Sequence, residues 1–258
     1  MKSFNTKIIA ISNQKGGVGK TTSAVNIASF LAITETPVLL VDMDPQSNAS
    51  TGLSIDIHKN NRSIYDVIIN NKNIKNCITK TDIDYLDLLP SSPNLAGAEI
   101  ELVSMFTRES ILKDALTNIN GKYKYVIIDC PPSLGLLTIN VLTASDSIII
   151  PIQCEYYALD GLSQLLNTIR LIQKNLNKSL IIEGILITMY DSRLNLSKQV
   201  VSEVQEYFGP KVYNTFINRN VKLGEAPSHG KPIVLYDPTS TGSNNYMNLV
   251  SEILHQHE

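Results

Sequence analysis

The chain has little cysteine, no long apolar run and no surplus of positive charge, and each shortage narrows its class. Its three cysteines, Cys77, Cys130 and Cys154, are far apart and odd in number, and no C-x-x-C occurs. That pattern speaks against a disulfide framework, a structural zinc site and a redox pair, and it points to a reducing, cytoplasmic compartment. The opening MKSFNTKIIAIS holds only a short apolar run before Asn13 and Gln14, too short for a signal-peptide core. No later run reaches the length of a membrane span, so secretion and membrane insertion are not expected. The formal net charge is −2, so charge alone does not make the chain a polyanion binder, and only a local basic patch could do so. Internal repeats and low-complexity linkers are missing too.

What is present is an alternation of short, β-branched apolar runs with amphipathic stretches. Strands are expected at 7–12, 37–44, 84–91, 124–129, 147–152 and 180–189. Helices are expected at 20–33, after Ala96, at 158–176, at about 195–208 and at about 243–256. Strands that are apolar throughout are buried on both faces, and alternation with helices predicts a doubly wound, mostly parallel α/β sheet with helices on each side. The 258 residues suit one such domain spanning 1–258. The polar stretch 55–76 is expected to leave the sheet and lie outside the core.

Between the first strand and the first helix stands NQKGGVGKTT, residues 13–22. The usual phosphate-loop pattern, G-x-x-x-x-G-K-[ST], has a glycine where this chain has Gln14, and a second lysine, Lys15, follows. The remainder of the loop is intact. Gly16, Gly17 and Gly19 let backbone N–H groups turn toward an anion, with Val18 and Thr22 completing the cradle. Lys20 would reach the β- and γ-phosphates of a nucleotide, and Thr21 would coordinate Mg²⁺. In open α/β sheets the site lies beyond the carboxyl ends of the strands. Asp42 and Asp44 end one strand there, and Asp129, closing YVIID, ends another. Asp129 reads as the carboxylate that holds Mg²⁺ through water, with Pro131 and Pro132 starting a switch loop.

KGGVGKTT resembles the deviant Walker A motif of the ParA/MinD family of ATPases. DPQSNAST, LAGAEIELV, EAPSHGKPI and the long run from IIDCPPSLG to IRLIQ extend the likeness over nearly the whole chain, toward the Soj-type ParA proteins. The resemblance implies an ATP- and Mg²⁺-dependent switch with slow, partner-stimulated hydrolysis. It implies that Lys15 crosses a homodimer interface to the phosphates of the neighbouring subunit's ATP, and that Asp44 orients the attacking water. Asp42 is expected to support the metal's water shell. The ATP-bound dimer would bind double-stranded DNA without sequence preference until a ParB-like partner releases it. Arg193, Arg219 and Lys222 would meet DNA phosphates, with Lys198 and Lys231 nearby. Asn218 and Asn220 fall near the adenine in relatives.

The chain departs from the family at two places. Asn218 stands where proline is usual, and Lys222 stands where arginine is frequent, which keeps the charge but loses the planar fork. Two rivals share the fold. A MinD-like membrane-associated ATPase would need a basic amphipathic C-terminal helix. The last helix here has an apolar stripe (Tyr246, Leu249, Val250, Ile253, Leu254) and no Lys or Arg on its polar side, so no membrane partner is expected. A metabolic ligase or reductase would show turnover indifferent to DNA. The first expected strand begins at about residue 7, which leaves no room ahead of it for a helix-turn-helix domain.

Overall fold

The computed structural model describes residues 4–57, 62–155 and 162–257. Seven strands form one sheet: β1 Lys7–Ile11, β2 Val38–Asp42, β3 Thr79–Lys80, β4 Leu86–Leu89, β5 Tyr125–Asp129, β6 Ser147–Gln153 and β7 Ile181–Thr188. Their order is β3-β4-β2-β5-β1-β6-β7. Every pairing is parallel except that of β3 with β4. The helices are α1 Lys20–Ile33, α2 Asn48–Thr51, α3 Ile64–Ile68, α4 Leu95–Leu102, α5 Ile111–Thr117, α6 Leu136–Ala144, α7 Leu162–Asn175, α8 Asn195–Phe208, α9 Val221–Glu225, α10 Ile233–Tyr236 and α11 Thr241–Gln256. The expected helix over 158–176 is present as α7, and its expected start lies outside the described residues.

The apolar strands sort their side chains by twos onto two cores. Ile9, Ile11, Leu40 and Ile127 face one layer with α1, α10 and α11. Ala10, Leu39, Val41 and Ile128 face the other with α3 through α8. Helices therefore cover both faces, as the continuous apolar runs require.

The stretch 55–76 corrects the expectation that it lies outside the core. Ile64, Val67, Ile68 and Ile74 are buried in the second layer. The sequence hides this because the apolar residues are few and spaced among asparagines and lysines. A local signal exists in Ser63-x-x-Asp66. The Asp66 carboxylate accepts from the Ser63 N–H at 3.0 Å and closes a capping box at the start of α3.

Among the elements that escape the periodic reading, β3 and α6 show why. β3 is two residues long and sits at the edge, where Lys80 pairs with Asp87 at 2.8 Å and blunts the free side. α6 is buried nearly all round, so it carries no apolar stripe to recognise. Its fully buried Asn140 gives Nδ2 to Arg108 O at 2.6 Å and Leu136 O at 2.9 Å, and its Oδ1 accepts from Leu112 N at 3.2 Å.

One glycine on β7 is fixed by packing. A Cβ on Gly184 would lie 2.2 Å from Cε2 of the buried Tyr213 ring. Gly184→Ala should destabilise the fold by about 1–3 kcal/mol, the scale of overpacking in a tight core. Denaturant unfolding would register this as a lower midpoint at unchanged slope, and an unchanged midpoint would contradict the packing.

Candidate functional site

β1 lies between β5 and β6, where the order of strands along the sheet reverses, so a crevice opens beyond its carboxyl end. The loop from Ser12 to Gly19 fills that position. Gly17 and Gly19 adopt φ of 76° and 85°, in the left-handed region that side chains resist. Gly19 ends the loop as the residue ahead of α1. A Cβ on Gly16 or Gly17 would meet no atom of the chain within 4 Å, so the outer side of the loop is open.

Two neighbouring strand ends pin the loop. Asn13 donates Nδ2 to Pro151 O on β6 at 2.7 Å, and its Oδ1 accepts from Lys15 N at 3.0 Å. Thr188, ending β7, donates its hydroxyl to Val18 O at 2.9 Å. Lys20 is 6% exposed and bends back to donate Nζ to Lys15 O at 2.8 Å. Burial lowers its pKa, and the negative charge of Asp129, with that of Asp44, opposes that fall. A lysine held in this way already faces acidic neighbours and is short of full compensation.

Three carboxylates meet at the adjoining strand ends. Asp42 and Asp129 are neighbours across β2 and β5, and both are fully buried. Asp42 is committed within the chain. Its Oδ2 accepts from Ser50 N at 2.8 Å and Ser50 Oγ at 2.7 Å, and its Oδ1 from Asp44 N at 3.2 Å. Burial nonetheless pushes its pKa up to about 6. These bonds make Asp42 an anchor of the turn 44–50.

Asp44 sits on that turn, 6% exposed, with Oδ1 accepting from Gln46 N at 2.9 Å and its carbonyl accepting from Ser91 Oγ at 2.6 Å. Asp129 differs from both, because neither of its carboxylate oxygens has a hydrogen-bond partner. Burial and then the charge of Asp42 raise its pKa well above the usual carboxylate range, while the nearby Thr21 hydroxyl pulls the other way without closing a hydrogen bond. A buried carboxylate with orphaned oxygens beside a threonine hydroxyl suits a hard cation, which takes oxygen ligands and reverses the cost of the buried charge. Among the described residues no group of three or more His, Cys, Asp or Glu could hold a metal ion alone. A cation there would have to share its ligands with water and a phosphate, as Mg²⁺ does.

Lys15 does not point into its own loop. Its Nζ pairs with Glu155 Oε1 at 2.5 Å, and its side chain is 37% exposed. Glu155 was not singled out from the sequence, where nothing connects a residue after β6 to the loop 140 positions earlier. Ser91 and Thr188 were missed for the same reason.

A cavity of about 320 Å³ adjoins Gly19 and Thr22 and is walled by Met189, Ile217, Asn218 and Asn220. Both expected asparagines therefore flank one cleft with the loop. The Asn218 N–H donates to Asn245 Oδ1 at 3.0 Å, a bond that a proline there could not make. Arg193, Arg219 and Lys222 are exposed, Arg193 between β7 and α8, Arg219 just ahead of α9 and Lys222 within it. A backbone bridge from Tyr190 to Asn218 joins the segments carrying the two arginines.

Known proteins place these features in a family. A model described as an AAA domain matches residues 6–182. The chain is 58% identical over 247 residues to the sporulation initiation inhibitor protein Soj of Bacillus subtilis, covering 96% of this chain and 98% of that protein. It is 53% identical over 248 residues to the chromosome partitioning protein ParA of Myxococcus xanthus, covering 96% and 88%. A solved structure of cobyrinic acid a,c-diamide synthase from Mycobacterium smegmatis, with bound ADP and magnesium, is 36% identical with a TM-score of 0.87, covering 98% and 95%.

Proposed function

From the premise that this chain belongs to the Soj/ParA family of chromosome-partitioning ATPases, we propose that it is a dimerising, DNA-binding switch driven by ATP and Mg²⁺. The observation that carries this reading is the buried pair at the loop, Lys20 folded over the backbone and Asp129 with two unpartnered oxygens beside Thr21. In this reading residues 1–258 act as one ATPase unit.

The loop N–H groups of Gly16, Gly17, Val18 and Gly19 cradle the phosphates, joined by Thr22 and by the N-terminal turn of α1. Lys20 leaves Lys15 O and takes the β- and γ-phosphate oxygens. Thr21 and Asp129 hold Mg²⁺, which supplies counter-charge to the triphosphate when bound. The adenine occupies the cavity beside Asn218 and Asn220. Asp44, fixed by Gln46 N and Ser91, orients the attacking water. Lys15 leaves Glu155 and reaches the phosphates bound by a second copy of the chain, completing that copy's site. Arg193, Arg219 and Lys222 meet DNA phosphates, so affinity falls steeply with salt and carries no sequence preference. A ParB-like protein stimulates hydrolysis and ends the DNA-bound state, in a cytoplasmic, nucleoid-associated cycle.

A membrane partner is disfavoured by α11, whose stripe Tyr246, Leu249, Val250 and Ile253 is buried against α1 and the sheet. Among the described residues no helix is long and apolar enough to cross a membrane. The structure named as a synthase is 36% identical, and the partition relatives match at higher identity over a similar share of the chain.

The test is a turnover assay with non-specific duplex DNA and the ParB-like partner added in turn. The reading predicts slow basal hydrolysis that the two together raise. Turnover indifferent to both would contradict it. Removing Mg²⁺ with a chelator should reduce hydrolysis to background and restoring Mg²⁺ should recover it, as phosphate release over time would measure.

A further inference from the structure

Arg193 is not a free cation. Its Nε donates to Asp191 Oδ1 at 2.9 Å and its Nη2 to Asp191 Oδ2 at 2.7 Å, a two-pronged pair between planar groups. The Arg193 N–H also donates to Asp191 Oδ1 at 3.0 Å. The Arg193 side chain is 86% exposed, yet the face that would grip a phosphate is filled by a carboxylate of the same chain. Lys222 repeats the arrangement, with Nζ on Glu225 Oε2 at 2.9 Å.

We propose that Asp191 sets the DNA affinity of this surface by occupying, within the chain, the guanidinium fork that a DNA phosphate takes. This rests on the DNA-binding reading above and names its regulator. A carboxylate and a phosphate oxygen pair present the same geometry to arginine, so they compete for one fork. The pair holds Asp191 ionised: hydrogen bonding from the Arg193 side chain, then from its N–H, lowers its pKa to about 2. The Arg219 charge acts in the same direction. The Arg193 side chain is exposed while the Asp191 side chain is 14% exposed, so water and salt reach the pair from the arginine side. The residue next to α8, Leu194, offers no side-chain acceptor to the helix, and an incoming phosphate meets free N–H groups there as well.

The bland alternative is that Asp191 merely shapes the turn ahead of α8. Asp191→Asn separates the two, because asparagine keeps the oxygen that accepts the Arg193 N–H and loses the charge. Affinity for a non-specific duplex would be measured by fluorescence anisotropy in the ATP state for the parent, D191N, R193A and the double variant. D191N should bind about two- to five-fold tighter for each copy of the fork, the scale of an exposed ion pair, and the gains multiply in a dimer presenting two forks. Most of that gain should vanish in the R193A background. Unchanged or weaker binding by a D191N protein of normal melting temperature would overturn the proposal and leave the DNA reading standing. An undiminished gain without Arg193 would also overturn it, because the effect would then be general charge. Failure of the parent and D191N alike to bind DNA with ATP would remove the DNA reading itself and this proposal with it. Should D191N fail to fold, D191S, which keeps a turn-forming oxygen, serves the same comparison.

Discussion

Lys15→Gln should abolish ATP-driven dimerisation and lower partner-stimulated turnover about a thousand-fold, the low end of what a finger supplied from another subunit contributes, while the single chain still binds ATP. In the proposed reading own-site phosphate binding falls to Lys20, which is buried and folded over the loop. Lys15 instead lies to the side, paired with Glu155 and more than one-third exposed. An exposed pair of that kind contributes little, so leaving it costs little compared with meeting a triphosphate. Glutamine keeps a polar side chain one atom shorter and removes the charge. Sedimentation with ATP and a turnover assay with the partner would both report the change. A Lys15→Gln protein that still dimerises and is still stimulated would contradict the assigned role.

The second large effect is expected at Asp44. Asp44→Ala should lower turnover by about 10²–10⁴, the usual contribution of a positioned acid or base, with ATP binding retained. The carboxylate lies on a turn held at both ends, by Asp42 on Ser50 and by Ser91 on the Asp44 carbonyl. The turn therefore keeps its place when one side chain is trimmed. The lost acceptor for Gln46 N costs about 1 kcal/mol, and Asp44→Asn controls for it by keeping an oxygen there. Trapped ATP should then leave the variant in its DNA-bound state. Single-turnover hydrolysis at the parental rate would remove Asp44 from the mechanism.

Much of this was legible in the residues. The apolar runs IIAI, VLLVD and YVIID announced strands buried on both faces, because nothing polar interrupts them before the aspartates that end the last two. The glycines, Lys20 and Thr21 announced an anion site, because local backbone geometry and a helix start suffice to build one. What stayed hidden depends on contacts far apart in the chain. Glu155 meets Lys15, Thr188 meets Val18 and Ser91 meets Asp44 only after the sheet has assembled. α6 was hidden for the opposite reason: burial all round erases the stripe that marks a helix. Asp42 and Asp129 look alike in sequence because both end strands, and only the structure shows Asp42 bonded to Ser50 and the Asp129 oxygens without a partner. The basic residues were legible as charges, but their carboxylate partners acquired meaning only when the side chains faced each other.

The most direct test of the switch is binding of the Asp44→Ala protein to a non-specific duplex, followed by fluorescence anisotropy with ATP and with ADP at two salt concentrations. The account predicts tight binding with ATP alone, falling steeply as salt rises. Equal binding in both nucleotide states, or none in either, would contradict it.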